Sequence, residues 1–195
     1  RLTQWQTPRG LFAKKPHVPK GLYLWGGVGR GKSMLMDVFF DLAPVKAKSR
    51  VHFHAFMLDV HARIHAWRQM DKAQRKANDH YVRGAGDDPI APVAKAIASQ
   101  AQLLCFDEFH VTDITDAMIL SRLFEALFER GVVVLATSNR DPDTLYEHGL
   151  NRALFLPFIT LLKRKLDVFE FPGMTDHRLR QLTAAPVFYA PLGAA

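Results

Sequence analysis

The stretch Gly26-Gly27-Val28-Gly29-Arg30-Gly31-Lys32-Ser33 decides the fold, because it matches the G-x-x-x-x-G-K-[ST] pattern of a phosphate-binding loop. The apolar run at residues 21–25 before it predicts a short buried strand, and residues 34–40 after it predict the first turns of a helix. A strand, a glycine-rich loop and a helix are the context that the pattern requires. The sequence therefore predicts a binding site for a nucleoside triphosphate.

Each residue type in this loop has a physical role. Glycines allow positive φ and bring backbone N–H groups close to phosphates, and the start of the helix adds its positive end. The Lys32 ammonium is predicted to reach the β- and γ-phosphates, and the Ser33 hydroxyl is predicted to bind Mg²⁺. The predicted nucleotide-binding residues are Gly26, Gly27, Val28, Gly29, Arg30, Gly31, Lys32, Ser33 and Met34.

A second apolar run, residues 103–106, ends in the adjacent acids Asp107 and Glu108. This pattern is typical of a buried strand that delivers carboxylates to the carboxyl edge of a sheet, where open α/β sheets bind ligands. Asp107 is predicted to hold Mg²⁺ directly or through water, and Glu108 to activate the attacking water as a general base. Together with the loop, the two acids favour a hydrolase. Cys105, within the run, is interpreted as a small buried residue.

The remaining pattern predicts an α/β fold with five strands and intervening helices, the layout of a parallel sheet with right-handed crossovers. A β-branched run at residues 132–137 predicts a central strand whose polar end, Ser138-Asn139, reaches the same edge as Asp107. The other predicted strands cover residues 51–56 and 166–171; the predicted helices cover residues 57–67, 89–100, 113–130 and 153–163, with a short helix at Leu145 and Tyr146 and a basic turn at Lys46, Lys48 and Arg50.

Composition limits the classes of function. The chain has 195 residues, 48% of them hydrophobic, which suits one packed domain. A single cysteine excludes an intrachain disulfide, no run is apolar enough to span a membrane, and we expect a cytoplasmic location. The net charge of +7 favours an acidic partner, an anionic membrane surface or nucleic acid. Because the chain begins with Arg1 rather than methionine, we expect it to be a fragment.

Three other interpretations are disfavoured: a histidine metal site, a GTPase and a small-molecule kinase. His61 and His65 lie one turn apart on a predicted helix, but no HExxH pattern or nearby ligand set accompanies them, which favours packing or solvated histidines over a metal site. No Asn-Lys-x-Asp motif for guanine follows the apolar strands, which disfavours a GTPase. The Asp107–Glu108 pair suits activation of water better than transfer to a bound acceptor, which disfavours a small-molecule kinase.

Four stretches together resemble the ZapE cell-division ATPases, the bacterial branch of the Afg-like AAA+ ATPase family. They are GLYLWGGVGRGKSMLMDVFF, HFHAFMLDVH, LCFDEFHVTDITDAMIL and ATSNRDPDTLYEHGLNRALFLPFI, and the resemblance covers about residues 16–192. It implies a P-loop NTPase fold of the AAA+ type, a five-stranded parallel sheet sandwiched by helices. We expect an extended lead-in at residues 1–20, a nucleotide-binding core at 21–172 and an extension at 173–195, with the rest of the family's chain absent.

The resemblance also implies roles for particular residues. It implies ATP as substrate, Asn139 as the sensor that orients the hydrolytic water, and Arg152 as an arginine finger that reaches the nucleotide of a neighbouring subunit. The active unit would then be a homo-oligomer. Arg140 is the rival for the finger, and His54, at the predicted tip of the second strand, is interpreted as a switch that holds Glu108. His110 departs from the expected Gln or aromatic residue, and Arg178 is a weak candidate for a second sensor.

We weigh three hypotheses about function, the first of which is an ATPase that acts as a motor or remodelling factor. The resemblance favours an ATPase that acts on FtsZ at the inner membrane, with peripheral membrane association, or, as in the mitochondrial branch, one that controls the quality of membrane proteins. The positive charge favours a nucleic-acid-bound ATPase of the helicase-loader type, the less favoured alternative. A third hypothesis, a nucleotide-gated scaffold that does not hydrolyse ATP, is opposed by Glu108.

Overall fold

Five parallel strands form the centre of the computed structural model, which describes residues 18–171. The strands are β1 (Gly21–Trp25), β2 (Lys48–His52), β3 (Leu103–Asp107), β4 (Val133–Ser138) and β5 (Leu166–Glu170). Their order in the sheet is β2-β3-β4-β1-β5, and each neighbouring pair is parallel. The predicted α/β fold with a five-stranded parallel sheet is confirmed.

Helices connect the strands and cover both faces of the sheet. They are α1 (Lys32–Leu42), α2 (Phe53–Gln69), α3 (Lys72–Ala77), α4 (Ile90–Gln100), α5 (Ile114–Glu129) and α6 (Leu156–Lys165), with short 3-10 turns at Pro142–Thr144 and Arg152–Leu154. The start of α5 is fixed by Asp113, whose side chain accepts the N–H of Thr115. The predicted helices at 89–100 and 113–130 are confirmed.

The two faces of the sheet have separate cores. Consecutive side chains of a strand point to opposite faces, so Leu103 and Cys105 pack with Met36 of α1, whereas Leu104 and Phe106 face the larger core that α2, α4 and α5 cover. All residues of β3 and β4 are buried, as expected for central parallel strands. Burial raises the pKa of the Cys105 thiol to about 12, so this residue is an inert part of the core.

An aromatic cluster fixes the elements below the carboxyl edge of the sheet. The rings of Phe53 and Phe109 lie 4.1 Å apart, and those of Phe106 and Phe124 lie 5.9 Å apart. Phe158 of α6 contacts Phe124 at 5.2 Å in an edge-to-face arrangement. Because these rings come from different elements, their packing holds the segment that follows β3 in place.

The second strand differs from the prediction of a strand at residues 51–56. β2 ends at His52 and α2 begins at Phe53 without a loop, so His54 lies in the first turn of α2. Phe56, Met57 and Val60 are buried at helical spacing, and this buried face outweighs the strand-like composition of the segment. The predicted basic turn is also wrong, because Lys48 and Arg50 belong to β2.

Two further boundaries differ from the prediction. Leu145 and Tyr146 follow the 3-10 turn Pro142–Thr144 rather than lying in a helix, and α6 begins at Leu156 rather than Ala153. Pro157 stands in the first turn of α6, where its fixed φ and missing N–H are tolerated. The predicted domain boundaries stay a prediction, since most of the lead-in and all of the extension lie outside the described residues.

Candidate functional site

The glycine loop joins β1 to α1 at the carboxyl edge of the sheet. Gly29 and Gly31 have φ of 77° and 83°, in the left-handed region that glycine adopts without a steric penalty. The N–H of Gly26 donates to the carbonyl of Ser138 at 3.2 Å, which ties the start of the loop to the end of β4. The loop is therefore anchored beside the polar end of β4, as its sequence predicts.

Lys32 is a buried cation at the start of α1. Its side chain reaches back over the loop, where Nζ donates to the carbonyls of Gly26 at 2.8 Å and Gly27 at 2.7 Å and to Oδ1 of Asn139 at 3.0 Å. Burial and the charge of Arg30 lower the pKa of Lys32, although the carboxylate of Asp107 opposes them. The ammonium is therefore held between the loop and β4.

Asp107 ends β3 as a buried carboxylate with three donors around it. Ser33 Oγ and Thr137 Oγ1 donate to its Oδ1 at 2.9 and 2.6 Å, and Arg50 Nη2 donates to its Oδ2 at 3.2 Å. Burial alone would raise the pKa of Asp107, but the hydrogen bonds from Thr137 and Ser33 and the charge of Arg50 outweigh it and lower the pKa. The group is therefore held in its charged form.

Glu108 follows Asp107 in a strained backbone conformation. Its φ is 54°, which is uncommon for a residue other than glycine, and its side chain is exposed. The N–H of Glu108 donates to Thr137 Oγ1 at 3.3 Å, and the N–H of Phe109 donates to the carbonyl of Thr137 at 2.7 Å. These contacts with β4 stabilise the turn that directs Glu108 out of the strand.

A cleft of about 340 Å³ gathers most of the predicted site residues. Its lining comes from the glycine loop, from the end of β3 and from the end of β4: Val28, Gly29, Arg30, Gly31, Lys32, Ser33, Met34, Asp107, Glu108, Thr137, Ser138 and Asn139. Gly26 and Gly27 contribute through their carbonyls, which hold Lys32. The structure thus brings the loop, the two acids and Asn139 together.

A second cavity of about 460 Å³ adjoins the cleft and shares Glu108, Ser138 and Asn139 with it. His54, His110 and Arg140 line this cavity. His54 therefore lies near Glu108, as the hypothesis of a switch requires, but no hydrogen bond joins their side chains in the described part of the chain. The switch stays a prediction, and so does the role of His110.

Arg152 lies in a turn that does not line the cleft. It begins the 3-10 turn Arg152–Leu154, and its Nη2 donates to the backbone carbonyl of Asp143. Its Nε is buried and has no hydrogen-bond partner among residues 18–171. Arg152 is not among the residues that line the cleft, so the structure does not join it to the site within one chain. Arg178 lies outside the described residues.

The residues of the cleft fit a magnesium ion. Mg²⁺ prefers oxygen ligands, and the Ser33 hydroxyl and the Asp107 carboxylate lie 2.9 Å apart at one end of the loop. The histidine pair His61 and His65 is less suited to a metal, because Nε2 of His61 lies 2.6 Å from Oδ1 of Asp116 and already has a partner there. The oxygen ligands therefore favour a site at Ser33 and Asp107.

Sequence reasoning missed Thr137 and Arg50. Thr137 contacts both Asp107 and the backbone of Glu108, and a hydroxyl at the end of an apolar strand beside Asn139 was the available signal. Arg50 was missed because the sequence pattern placed it in a basic turn, and a residue of that turn has no reason to lie beside Asp107. Knowledge of the register, in which His52 of β2 lies opposite Asp107, is needed to find it.

The amino-acid sequence of the chain is similar to those of several known proteins. Residues 2–195 match the AFG1-like ATPase family. The chain is 49% identical over 177 residues to lactation elevated protein 1 homolog B of Danio rerio, and 45% identical over 177 residues to cell division protein ZapE of Escherichia coli K12. These alignments cover 91% and 90% of this chain but 34% and 43% of the relatives, so the chain spans less than half of their length.

Solved structures share the fold at low sequence identity. The crystal structure of DnaI superposes with a TM-score of 0.56 at 13% identity, covering 90% of this chain and 78% of that chain.

Within residues 18–171, no helix combines the length and the apolar character needed to cross a membrane.

Proposed function

The chain belongs to the AFG1-like ATPase family, and from this premise we propose that it binds ATP with Mg²⁺ and hydrolyses it. The observation that carries the proposal is the hydrogen-bonded arrangement in one cleft. There, Lys32 contacts Asn139 at 3.0 Å and Ser33 contacts Asp107 at 2.9 Å. A cation, a hydroxyl, a carboxylate and an amide at the carboxyl edge of a parallel sheet suit a triphosphate and its metal.

Ser33 and Asp107 would hold the magnesium ion, and Lys32 would contact the β- and γ-phosphates. The metal supplies charge neutralisation to the phosphate oxygens. Glu108 would accept a proton from water while the water oxygen bonds to the γ-phosphorus and the bond to the β,γ-bridging oxygen breaks, which releases ADP and phosphate. Asn139, at the end of β4, would orient that water. The exposure of Glu108 and its place in the lining of the cleft support this assignment.

Arg152 would complete the site of a neighbouring copy. The position of Arg152 outside the lining of its own cleft supports a role between subunits rather than within one chain. A guanidinium there would neutralise the charge that develops on the γ-phosphate. We therefore propose a homo-oligomer as the active unit. Arg140 is the rival candidate for the finger, because it lines the second cavity together with Glu108.

Magnesium-dependent release of phosphate from ATP tests the chemistry. The parent chain should release phosphate in Mg²⁺ and not in EDTA, and Asp107→Asn should lose at least about ten-fold in rate at saturating ATP. Asp59→Asn is a matched control, because this carboxylate pairs with Arg63 and does not line the cleft. Equal rates for Asp107→Asn and the parent would contradict the metal site.

The relative named a cell division protein supports a role of this chain in cell division. We propose that the chain acts on FtsZ from the cytoplasm, in peripheral contact with the inner membrane. The rate of ATP hydrolysis should rise more than linearly with protein concentration and rise again when FtsZ polymer is added. A linear dependence would count against the oligomer, and no response to FtsZ polymer would count against this partner.

The net charge of +7 supports a second candidate, a nucleic-acid-associated ATPase. Binding of the chain to single-stranded DNA at two salt concentrations separates the candidates. Tight binding that weakens steeply with salt would favour the second candidate. Quality control of membrane proteins, the role of the mitochondrial branch, would instead predict stimulation by a detergent-solubilised membrane protein.

A further inference from the structure

Arg50, a residue of the edge strand β2, pairs with the same carboxylate that the proposed magnesium site uses. Its Nη2 lies 3.2 Å from Oδ2 of Asp107, and its Nε lies 2.6 Å from Oδ1 of Asp37 on α1. The Arg50 side chain is 34% exposed, whereas that of Asp107 is 9% exposed. The ion pair is therefore only partly screened by water, and its effect on the site should be measurable.

The register of the sheet places Arg50 there. Arg50 lies opposite Cys105 in the parallel pair of β2 and β3, and residues that face each other across a pair share a face of the sheet. Asp107, two residues beyond Cys105, points to that same face, which α1 covers with Asp37. An arginine at this position of β2 can therefore extend along the strand, so that its Nη2 contacts Asp107 while its Nε contacts Asp37 of α1.

The contacts of Asp107 divide between its two oxygens. Oδ1 accepts from Ser33 and Thr137, whereas the described contact of Oδ2 is with Arg50. The guanidinium thus supplies a positive charge at the carboxylate in this structure. A divalent metal held by Ser33 and Asp107 would bring a second cation to the same carboxylate, and the two cations would repel each other.

We propose that Arg50 is a positioning residue that competes with the divalent metal for Asp107 and thereby makes nucleotide binding less dependent on the metal. This inference rests on the magnesium site of the proposed function. Without metal, Arg50 offsets the negative charge that Asp107 presents to the phosphates. With metal, the charge of Arg50 opposes the ion. A neutral residue at position 50 should weaken metal-free binding and strengthen metal-dependent binding.

Both effects raise one measurable ratio, the Kd of the nucleotide in EDTA divided by its Kd in Mg²⁺. The probe is AMPPCP, an ATP analogue that is not hydrolysed, titrated calorimetrically into the full chain. We expect Arg50→Gln and Arg50→Met, two neutral replacements of similar length, to raise the ratio at least about five-fold. Arg50→Lys, which keeps the charge, should stay within about two-fold of the parent.

Arg63→Gln is the matched control. Arg63 also pairs with an aspartate, Asp59 at 2.7 Å, but it lies on α2, and neither residue lines the cleft. Its ratio should match that of the parent. Thermal unfolding of each variant shows that the comparison is between folded proteins, and the two neutral variants allow the test to proceed if one of them fails to fold.

Two results would overturn the inference: an unchanged or lower ratio in the folded neutral variants, or the same rise in Arg50→Lys as in Arg50→Gln. Asp107→Asn separates this failure from that of the proposed function. Its ratio should fall towards one if Asp107 holds the metal. A ratio that stays at the parent value in Asp107→Asn would remove the magnesium site itself, whatever the Arg50 variants show.

Discussion

The cleft around Asp107 and the turn around Arg152 use their charged groups in different ways. In the cleft, two charged groups are paired within the chain, Lys32 with Asn139 and Asp107 with Ser33. At the turn, Arg152 binds a backbone carbonyl of Asp143, while the carboxylate of Asp143 pairs with Lys163 at 2.7 Å. The contacts of the first region lie within one chain, whereas the second region presents a cation that its own fold leaves without a carboxylate in residues 18–171.

This contrast predicts that changes in the cleft act on one subunit, whereas changes at Arg152 act on its neighbour. The largest effect is expected for Lys32→Ala, which removes the buried ammonium and should abolish nucleotide binding in calorimetric titration with AMPPCP. Lys72→Ala, at an exposed position of α3, is the control and should bind as the parent does. Retained binding in Lys32→Ala would break the assignment of the cleft.

Arg152→Ala should keep the affinity for AMPPCP and lose about 10³-fold in turnover. Mixing this variant with Lys32→Ala should restore part of the activity, because each would supply what the other lacks. Phosphate release is measured against the fraction of each variant in the mixture. If no mixing ratio of the two variants restored phosphate release, Arg152 would not act on a neighbouring subunit. The proposed difference between the cleft and the turn at Arg152 would then be wrong.

Glu108→Gln should bind ATP as the parent does and lose about 10²-fold in the rate of phosphate release. The amide keeps the size of the side chain but cannot accept the proton from water. Glu125→Gln, on the exposed face of α5, is the control. A parent-like rate in Glu108→Gln would show that another group acts as the base.

The smallest effect concerns acid stability. Asp107 has a lowered pKa in the folded chain, so its contribution to stability is present above its pKa in the unfolded chain and is lost as pH falls through its folded pKa. Asp107→Asn should therefore flatten the loss of stability as the pH falls below the ordinary aspartate pKa of about 4, as followed by urea unfolding. An unchanged pH profile would mean that the contacts of Asp107 do not favour its ionised form.

Much of the fold could be predicted, because central parallel strands are apolar runs and glycine loops have a fixed pattern. The loop, β3 and β4 are of this kind. The boundary at His52 could not be predicted, because the aromatic residues 53–56 suit either a strand or a buried helix face, and only packing against Phe106 and Phe109 decides.

The gathering of the site followed from the rule that carboxyl ends of parallel strands share an edge. The register of β2 against β3 could not be predicted from this rule. The contact between Arg50 and Asp107 was therefore not predicted either, because it depends on which residue of β2 faces Cys105. The sequence shows a hydroxyl residue, Thr137, at the end of an apolar run, but it does not show that this hydroxyl donates to Asp107. Local patterns identified the residues, whereas sheet register determined their contacts.

The left-handed backbone of Glu108 has a consequence for protein engineering. A residue with a side chain is disfavoured at its φ of 54°, and glycine there would relieve a strain of about 1 kcal/mol. A library of variants ranked only by resistance to heat would therefore enrich glycine at position 108. The selected variants would unfold at a higher temperature and still bind nucleotide, but they would lack the carboxylate of Glu108 that the proposed reaction needs.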